Sequence, residues 1–288
     1  MISSNDKKGL IAIMMPKSLQ SSLFTLLFGV LLLQAEPTKI MPLGDSITYG
    51  LVVNGEEILP DDEAGGYRYW LWHMLHDHGY DATFVGSEIA GEGLTPVFDP
   101  YHEGHRGWSS SQIANGTEGF LMQNPPDTIL LHAGTNDFNA GVDGINMILD
   151  HIDNYEHQSG HPIKVYVALI LDRRITDPII RQFNENLKVL VGQRIRFGDD
   201  LTLVDMAGRA GLTGADYSDN THPNNSGYQK MAQVWYSALM EPDTPGLFAY
   251  PYILVDAPYI HEGSLYVNYG DNSVTFEADI PDSGITIY

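Results

Sequence analysis

Short apolar runs alternate with longer amphipathic segments from Lys39 to about Met240. The apolar runs predict β-strands, at residues 40–43, 82–86, 128–133, 164–171 and 201–205. The amphipathic segments predict α-helices, at residues 67–78, 109–123, 145–158, 178–196 and 225–239. Strict alternation of strands and helices is typical of right-handed crossovers between parallel strands. The pattern therefore predicts a three-layer α/β/α fold around a mostly parallel five-stranded sheet.

The first 35 residues follow a different pattern. Lys7, Lys8 and Lys17 precede an apolar stretch at residues 23–33, and a small residue, Ala35, comes after it. A positive flank, a short apolar stretch and a small residue are typical of a secretory signal peptide, and the stretch is short for a membrane span. An uncleaved membrane anchor is the alternative. Both interpretations place the rest of the chain outside the cytoplasm, and the signal peptide predicts secretion to the extracellular space or the periplasm.

The pattern changes again after residue 240. Residues 241–246 combine two prolines, two acidic residues and a glycine, which predicts a linker. Residues 264–269 and 274–278 alternate apolar and polar side chains and predict antiparallel strands. We therefore expect a signal peptide at 1–35, an α/β domain at 36–240, and a linker with a partial β-rich C-terminal module at 241–288. A strand tail that packs on the α/β domain is the alternative, because so few strands bury little core.

The chain is strongly acidic. It has 288 residues and a formal net charge of −22, and its first 35 residues contribute three lysines and one aspartate, which leaves −24 for the rest. Such a surface repels phosphate backbones and anionic lipid headgroups, which argues against nucleic acids and membrane surfaces as partners. There are no cysteines, which excludes disulfides, thiolate zinc sites and thiol nucleophiles.

The tripeptide Gly44-Asp45-Ser46 directly follows the first predicted strand. Open α/β sheets place their chemistry at the carboxyl ends of their strands, so Ser46 lies where a nucleophile is expected. Glycine and aspartate are also common turn residues, and taken alone the tripeptide is more often an ordinary turn.

Residues 102–111 contain His102, His105 and Gly107 ahead of a run of serines. The serines supply a cap for the next helix, and the backbone N–H of Gly107 is a candidate oxyanion donor beside the positive end of that helix. The two histidines are also candidate metal ligands, but no third ligand is evident nearby. Hydrogen bonds that shape the loop are the simpler role for them.

Two further motifs carry polar side chains into loops. Asn136, in Gly134-Thr135-Asn136-Asp137, follows the third predicted strand and either caps a turn or aims its amide at a developing negative charge. Asp219 precedes His222 by three residues, a spacing at which the carboxylate can accept the Nδ1–H bond and leave Nε2 free as a base. Pro223 then starts a helix that would hold this loop rigid at its base.

These four motifs, in this order, resemble those of the SGNH (GDSL) hydrolase family: Gly-Asp-Ser, a glycine, Gly-Thr-Asn-Asp and Asp-x-x-His. The resemblance covers residues 39 to about 240, and it is greatest to the acetylxylan esterase branch, carbohydrate esterase family three. That branch has Ser-Tyr-Arg and His-Glu-Gly-His-Ser-Gly-Trp, where this sequence has Gly66-Tyr67-Arg68 and residues 102–108. Arg106 replaces the usual serine, which bears on sugar preference more than on the chemistry.

The resemblance implies a role for each motif. Ser46 would be the nucleophile, His222 the general base and then the acid, and Asp219 the partner that orients His222. The oxyanion would be held by the N–H of Ser46, the N–H of Gly107 and the side-chain amide of Asn136. Gly86 is a second choice for the glycine. The family mechanism requires no metal and no organic cofactor.

The implied function is a secreted serine esterase that forms an acyl-enzyme and removes acetyl groups from polysaccharide, with other small esters as possible substrates. A lipid or aryl-ester hydrolase of the same superfamily is the first alternative, because the motifs serve both. A non-catalytic carbohydrate-binding protein is the remote alternative. Competent residues at every triad position argue against it.

Overall fold

A computed structural model of the protein describes residues 36–240, together with residues 259–261, 264–269 and 272–277. The predicted signal peptide at 1–35 and the predicted linker at 241–246 lie outside the described residues. The chain divides into two units, Met1–Tyr236 and Ser237–Tyr288. The first unit contains the α/β layers.

The first unit is built on a seven-stranded, mostly parallel sheet. The strands of this unit are β1 (Thr38–Gly44), β2 (Val53–Asn54), β3 (Glu57–Ile58), β4 (Ala82–Phe84), β5 (Glu88–Ile89), β6 (Tyr101–Gly104), β7 (Thr128–His132), β8 (Lys164–Ala168) and β9 (Leu201–Val204). The main sheet has the order β5-β6-β1-β7-β8-β9, with β4 also paired to β1, while β2 and β3 form a separate hairpin. Only β5 runs antiparallel to its neighbour in the main sheet.

All five predicted strands are present, and two short strands join them. β4 pairs with the first half of β1 and β6 pairs with the last two residues of β1, so both lie on the same side of that strand. The five-strand prediction missed β6 because its sequence, Tyr-His-Glu-Gly, is not an apolar run. It missed β5 because a two-residue strand has no periodicity to read.

The predicted helices are confirmed to within two residues at each end. The helices are α1 (Ser46–Tyr49), α2 (Gly66–Asp77), α3 (Ser110–Gln123), α4 (Asp143–Ser159), α5 (Pro178–Phe197), α6 (Met206–Arg209) and α7 (Asn225–Met240). Ser109 begins α3 with a capping box, in which its side chain accepts the N–H of Gln112 and the Gln112 side chain accepts the N–H of Ser109. Asp177 caps α5, and Pro178 occupies its first turn.

Helices cover both faces of the sheet, which confirms the three-layer prediction. Apolar side chains of α3, α4 and α5 form one buried cluster with alternate strand residues, which are Met41, Leu43, Ile129, Leu131, Val165, Val167 and Leu201. Strand alternation turns the intervening residues, such as Ile40 and Leu130, to the opposite face, where they are fully buried. Helices α2 and α7 contact each other through Tyr67 and Trp235, whose ring centroids are 6.0 Å apart.

The strand register brings three loops together at one edge of the sheet. Gly44, the last residue of β1, is paired with Gly104 on one side and with His132 on the other. The N–H of His105 continues this pairing by donating to the carbonyl of Gly44 at 2.9 Å. The loops after β1, β6 and β7 therefore leave the carboxyl edge of the sheet side by side.

The second unit contains three further strands, β10 (Tyr259–His261), β11 (Ser264–Tyr269) and β12 (Asn272–Glu277). They form an antiparallel sheet in which Tyr259 pairs with Tyr266 and Ser264 pairs with Glu277. The two strands predicted in this part of the sequence are thus present. Across the described residues of both units, no helix has the length and apolar character needed to cross a membrane.

Candidate active site

The loop after β1 places Ser46 at the first position of α1. Asp45 caps this short helix by accepting the N–H of Ile47 at 3.0 Å, and Ser46 itself is only 4% exposed. A side chain at position 44 would place its Cβ 2.1 Å from the His132 carbonyl oxygen and 2.4 Å from the Thr48 hydroxyl. The Gly-Asp-Ser sequence is therefore explained by a close strand contact, a helix cap and a serine delivered to the edge of the sheet.

Ser46, His222 and Asp219 form a continuous chain of hydrogen bonds. The Ser46 Oγ lies 2.9 Å from His222 Nε2, and His222 Nδ1 lies 2.8 Å from Asp219 Oδ2. An ionised carboxylate can only accept, so Nδ1 carries the proton and Nε2 is left to accept the serine O–H. The imidazole is therefore held in the tautomer of a general base toward Ser46.

The Asp219 carboxylate is held ionised by its neighbours. Its Oδ1 accepts the backbone N–H groups of Thr221 and His222, each at 2.6 Å. Burial alone would raise the pKa of Asp219, but the hydrogen bonds from His222 and Thr221 outweigh it and leave the pKa below its usual value. The carboxylate thus fixes both the loop and the imidazole, and it stays charged at neutral pH.

The loop that carries His222 is anchored from below by Asp216. This nearly buried carboxylate lies 2.7 Å from the Lys230 ammonium and also accepts hydrogen bonds from Thr213 and Ser226. The Lys230 contact is the largest of the effects that hold the pKa of Asp216 well below its usual range. The N–H of Ser218 donates to the His222 carbonyl at 2.9 Å and closes the loop.

The predicted oxyanion donors lie in the two neighbouring loops. The Asn136 side-chain nitrogen donates to the Trp108 carbonyl at 2.9 Å, which ties the loop after β7 to the loop after β6. The same nitrogen carries a second hydrogen that can be given to another acceptor. Gly107 precedes Trp108, has a φ of +77°, and has open space where a Cβ would stand. The positive φ accounts for the glycine at this position.

Gly86, the second choice for this donor, lies elsewhere. A Cβ at Gly86 would approach the carbonyl carbon and oxygen of His102 to 2.2 Å, so this glycine is required by backbone packing beside β6. Gly107 has no such contact and faces open space in a loop at the carboxyl edge. The geometry therefore favours Gly107 over Gly86 as a donor to a bound group.

Arg68 supports the segment that carries Ser46, a contact that the sequence did not reveal. Its buried guanidinium donates to the carbonyls of Thr48 and Tyr49 at 2.9 and 2.8 Å, and it also reaches Ala64, Ala90 and Pro100. Burial lowers the pKa of Arg68 to about 10, which still leaves it charged at neutral pH. The resemblance of Gly66-Tyr67-Arg68 to a Ser-Tyr-Arg motif marked the position of Arg68. It did not indicate which groups the Arg68 side chain contacts.

Arg173, in the loop after β8, connects two of the functional loops. Its Nη1 donates to the Thr221 hydroxyl at 2.6 Å, next to His222. Its Nη2 donates to the Thr135 carbonyl at 3.2 Å, next to Asn136. No sequence motif marks this residue, because its partners lie 38 and 48 positions away.

His102 and His105 make hydrogen bonds within β6 and to the residue that directly follows it. His102 Nδ1 accepts the N–H of Gly104 at 2.9 Å, and His105 Nε2 lies 3.0 Å from the Glu103 carboxylate. Burial lowers the pKa of His102 well below its usual value. Within the part of the chain that the structure describes, no group of three or more His, Cys, Asp or Glu residues could hold a metal ion.

A cavity of about 660 Å³ lies beside the segments that carry Ser46 and His222. Its wall includes Gly50, at the end of α1, and Asn224 and Asn225, which closely follow His222. Tyr69 and Trp70 supply aromatic surface to the same wall, and the Trp70 Nε1–H donates to the Asn225 side chain at 3.0 Å. The lining thus combines aromatic rings with side-chain amides.

Two solved structures are similar to this chain over most of their length. A carbohydrate esterase family 3 protein from Talaromyces cellulolyticus is 27% identical with a TM-score of 0.60, and the match covers 71% of this chain and 97% of that one. A family 3 carbohydrate esterase from Clostridium thermocellum is 29% identical with a TM-score of 0.61, covering 72% of this chain and 97% of that one. Both similarities support the α/β/α architecture.

The sequence comparisons agree with the structural ones. A multidomain esterase from Ruminococcus flavefaciens is 28% identical over 232 residues, which cover 68% of this chain and 28% of that protein. The chain thus matches little more than a quarter of that relative's length. Residues 43–230 match the GDSL-like lipase/acylhydrolase family, a segment that contains all four motifs. The chain therefore belongs to the GDSL-like lipase/acylhydrolase family.

Proposed function

We propose that this protein is a secreted serine esterase that removes acetyl groups from polysaccharide. The observation that carries the proposal is the hydrogen-bonded chain from Ser46 through His222 to Asp219. A hydroxyl, a neutral imidazole and an ionised carboxylate in this order can activate a serine toward an ester carbonyl.

The reaction divides into two steps. Ser46 Oγ attacks the ester carbonyl while His222 Nε2 takes the serine proton, and the protonated imidazole then gives that proton to the leaving alcohol. The acetyl group is left on Ser46 as an ester. Water, activated by His222, attacks this acyl-enzyme and releases acetate with the restored serine. In both steps the negative carbonyl oxygen would receive hydrogen bonds from the N–H groups of Ser46 and Gly107 and from the Asn136 amide.

A carbohydrate substrate is supported by the surroundings of the catalytic loops. The cavity beside them offers Tyr69 and Trp70 as apolar surface and three asparagines, Asn54, Asn224 and Asn225, as side-chain amides, a combination that suits the apolar and hydroxyl faces of a sugar. The two similar structures described above are of carbohydrate esterases. The chain outside the leader is strongly acidic, which disfavours polyanionic substrates.

The proposal is tested by comparing substrates. Acetate release from acetylated xylan is measured beside hydrolysis of nitrophenyl esters from acetate to octanoate and longer. We expect deacetylation of the polymer and a fall in kcat/KM as the acyl chain lengthens. A preference for octanoate or longer chains would replace the polysaccharide proposal with a lipid esterase.

Secretion is also part of the proposal, and it rests on the pattern of residues 1–35. Expression of the full sequence in a secreting host, followed by mass measurement of the exported protein, tests it. A mature chain that has lost about this segment is expected. Retention of the intact segment in a membrane fraction would indicate an anchor.

Replacing Asn136 with alanine is expected to lower kcat by about 10²–10³-fold, because one of three oxyanion donors is lost. The KM for nitrophenyl acetate should change little, since the donor acts mainly on the charged intermediate. Steady-state kinetics on this ester measure the effect. Asn115→Ala, at an exposed position of α3, is the matched control. A wild-type kcat in Asn136→Ala would show that the Asn136 amide is not an oxyanion donor.

A further inference from the structure

Phe138 has a strained backbone conformation and an exposed side chain. Its φ is +54°, the left-handed region that glycine normally occupies, and among the described residues it is the one non-glycine residue with a positive φ. A bulky side chain there costs energy and persists where surrounding contacts hold the backbone. The ring is nevertheless 74% exposed, so burial of apolar surface does not explain the strained conformation.

The residues on either side of Phe138 hold the backbone in place. The carboxylate of Asp137 accepts the N–H and the hydroxyl of Ser110 at 2.7 and 2.6 Å. The Asn139 side chain donates to the Asp137 carbonyl at 2.8 Å and accepts the N–H of Gly141 at 2.7 Å. These contacts fix a turn that projects the Phe138 ring into solvent.

The turn places the ring at the rim of the catalytic loops. Phe138 follows Asn136 by two residues. The Arg173 guanidinium carbon lies 5.8 Å from the centroid of the Phe138 ring, and the same guanidinium donates to Thr221, next to His222. The ring is therefore connected to both the oxyanion loop and the histidine loop, with one face toward Arg173.

We propose that Phe138 is a stacking platform for a sugar ring of the polysaccharide, next to the residue whose acetyl group enters the site. This inference rests on the polysaccharide function proposed above and adds a residue that determines specificity. The C–H face of a pyranose is apolar, and it can cover an aromatic face while its hydroxyls stay in water. A polymer that presents one acetyl group to Ser46 must continue over the rim, where this ring stands.

The test compares polymer with small ester in Phe138→Gly. Glycine adopts a positive φ without strain, so this variant removes the ring and is expected to keep or raise Tm. The ratio of kcat/KM on acetylated xylan to kcat/KM on nitrophenyl acetate is expected to fall about tenfold. The fall should appear mainly as a higher KM for the polymer. Phe138→Trp, which restores an aromatic face, is expected to keep the wild-type ratio.

Phe197→Ala is the matched control. Phe197 is also an exposed aromatic residue, 89% exposed, but it ends α5 shortly before β9 begins and so lies at the amino edge of the sheet. Loss of this ring should leave the ratio at its wild-type value. An equal fall in Phe138→Gly and Phe197→Ala would mean a general surface effect and would overturn the proposal.

Three other outcomes would overturn it. A wild-type ratio in Phe138→Gly, with a wild-type enzyme that deacetylates xylan, rejects the platform and leaves the proposed function standing. A fall in the kcat/KM of Phe138→Gly that is confined to octanoate esters would mean that the ring contacts a long acyl chain and not a sugar. A wild-type enzyme that hydrolyses nitrophenyl acetate but releases no acetate from polymer rejects the proposed function and the platform together.

Discussion

Replacing Ser46 with alanine is expected to lower kcat on acetyl esters by about 10⁶-fold. The proposed acyl-enzyme is an ester of the Ser46 hydroxyl oxygen, the atom that lies 2.9 Å from His222 Nε2, and alanine has no oxygen to replace it. The residual rate should still exceed that of the uncatalysed reaction by about 10³–10⁴-fold, because the oxyanion donors and the binding surface remain.

The fold should tolerate this substitution, so the loss can be assigned to chemistry. The Ser46 side chain is buried at the start of α1, and its one described hydrogen bond is to His222. Tm measured by calorimetry should therefore stay close to that of the wild type. A fluorophosphonate should label the wild-type chain stoichiometrically and fail to label Ser46→Ala.

Ser159→Ala is the matched control for these measurements. Ser159 is an exposed serine at the end of α4, and its hydroxyl donates to the Tyr155 carbonyl. It should keep both the wild-type rate and stoichiometric labelling. A Ser46→Ala enzyme within tenfold of the wild-type rate would show that another group is the nucleophile.

The layers of the fold could be predicted because its long elements carry strong patterns. The strands at 128–132 and 164–168 contain uninterrupted apolar runs, at 129–131 and 165–168, as expected of strands buried on both faces. The helix Pro178–Phe197 has a capping aspartate, a proline in its first turn and a glycine after its end. Each of these signals is local, so one sequence was enough to read them.

The parts that were missed depend on contacts between distant residues. Strand β6 exists because Glu103 and Gly104 can pair with the end of β1, although its own residues show no apolar period. The buried Arg68 is stabilised by five backbone carbonyls from four separate stretches of chain. A charged residue in an amphipathic helix predicts a solvated position, and nothing local indicates that those carbonyls surround it.

The candidate site could be predicted from the sequence only in part. The motifs identified Ser46, Asp219 and His222 as a set through the family resemblance, and the structure brings the three side chains into hydrogen-bonding contact. Ser46 and His222 are 176 positions apart in the sequence. Their spacing alone could not predict that the two side chains are in contact. The strained Phe138 could not be found either, because Gly-Thr-Asn-Asp-Phe contains no signal for a positive φ at its last residue.

Replacing Asp219 with asparagine is expected to lower kcat by about 10⁴-fold while leaving the structure intact. The carboxylate performs two tasks with its two oxygens: Oδ1 accepts the Thr221 and His222 backbone N–H groups, and Oδ2 accepts the His222 ring N–H. Asparagine keeps an oxygen for the backbone. Its NH₂ group then faces His222 Nδ1 as a donor.

A donor at that position reverses the imidazole tautomer. Nδ1 must become the acceptor, so the proton moves to Nε2, and Nε2 can no longer take the proton of Ser46. Deprotonation of the serine is lost, whereas the hydroxyl, the oxyanion donors and the loop remain. Kinetics on nitrophenyl acetate should show the loss in kcat with little change in KM. Asp200→Asn, which removes an exposed ion pair with Lys164, is the control and should keep the wild-type rate.

The pH dependence of stability distinguishes this explanation from a general disruption of the loop. The pKa of Asp219 is lowered in the folded chain, so its charge contributes stability above the unfolded pKa, and this contribution is lost as pH falls through the folded pKa. Asparagine does not titrate. Tm of Asp219→Asn should therefore fall less steeply on acidification than Tm of the wild type, while kcat remains low at every pH. A variant that unfolds at neutral pH, or one that regains the wild-type kcat, would contradict the tautomer argument, because that argument requires a folded loop holding an imidazole in the wrong protonation pattern.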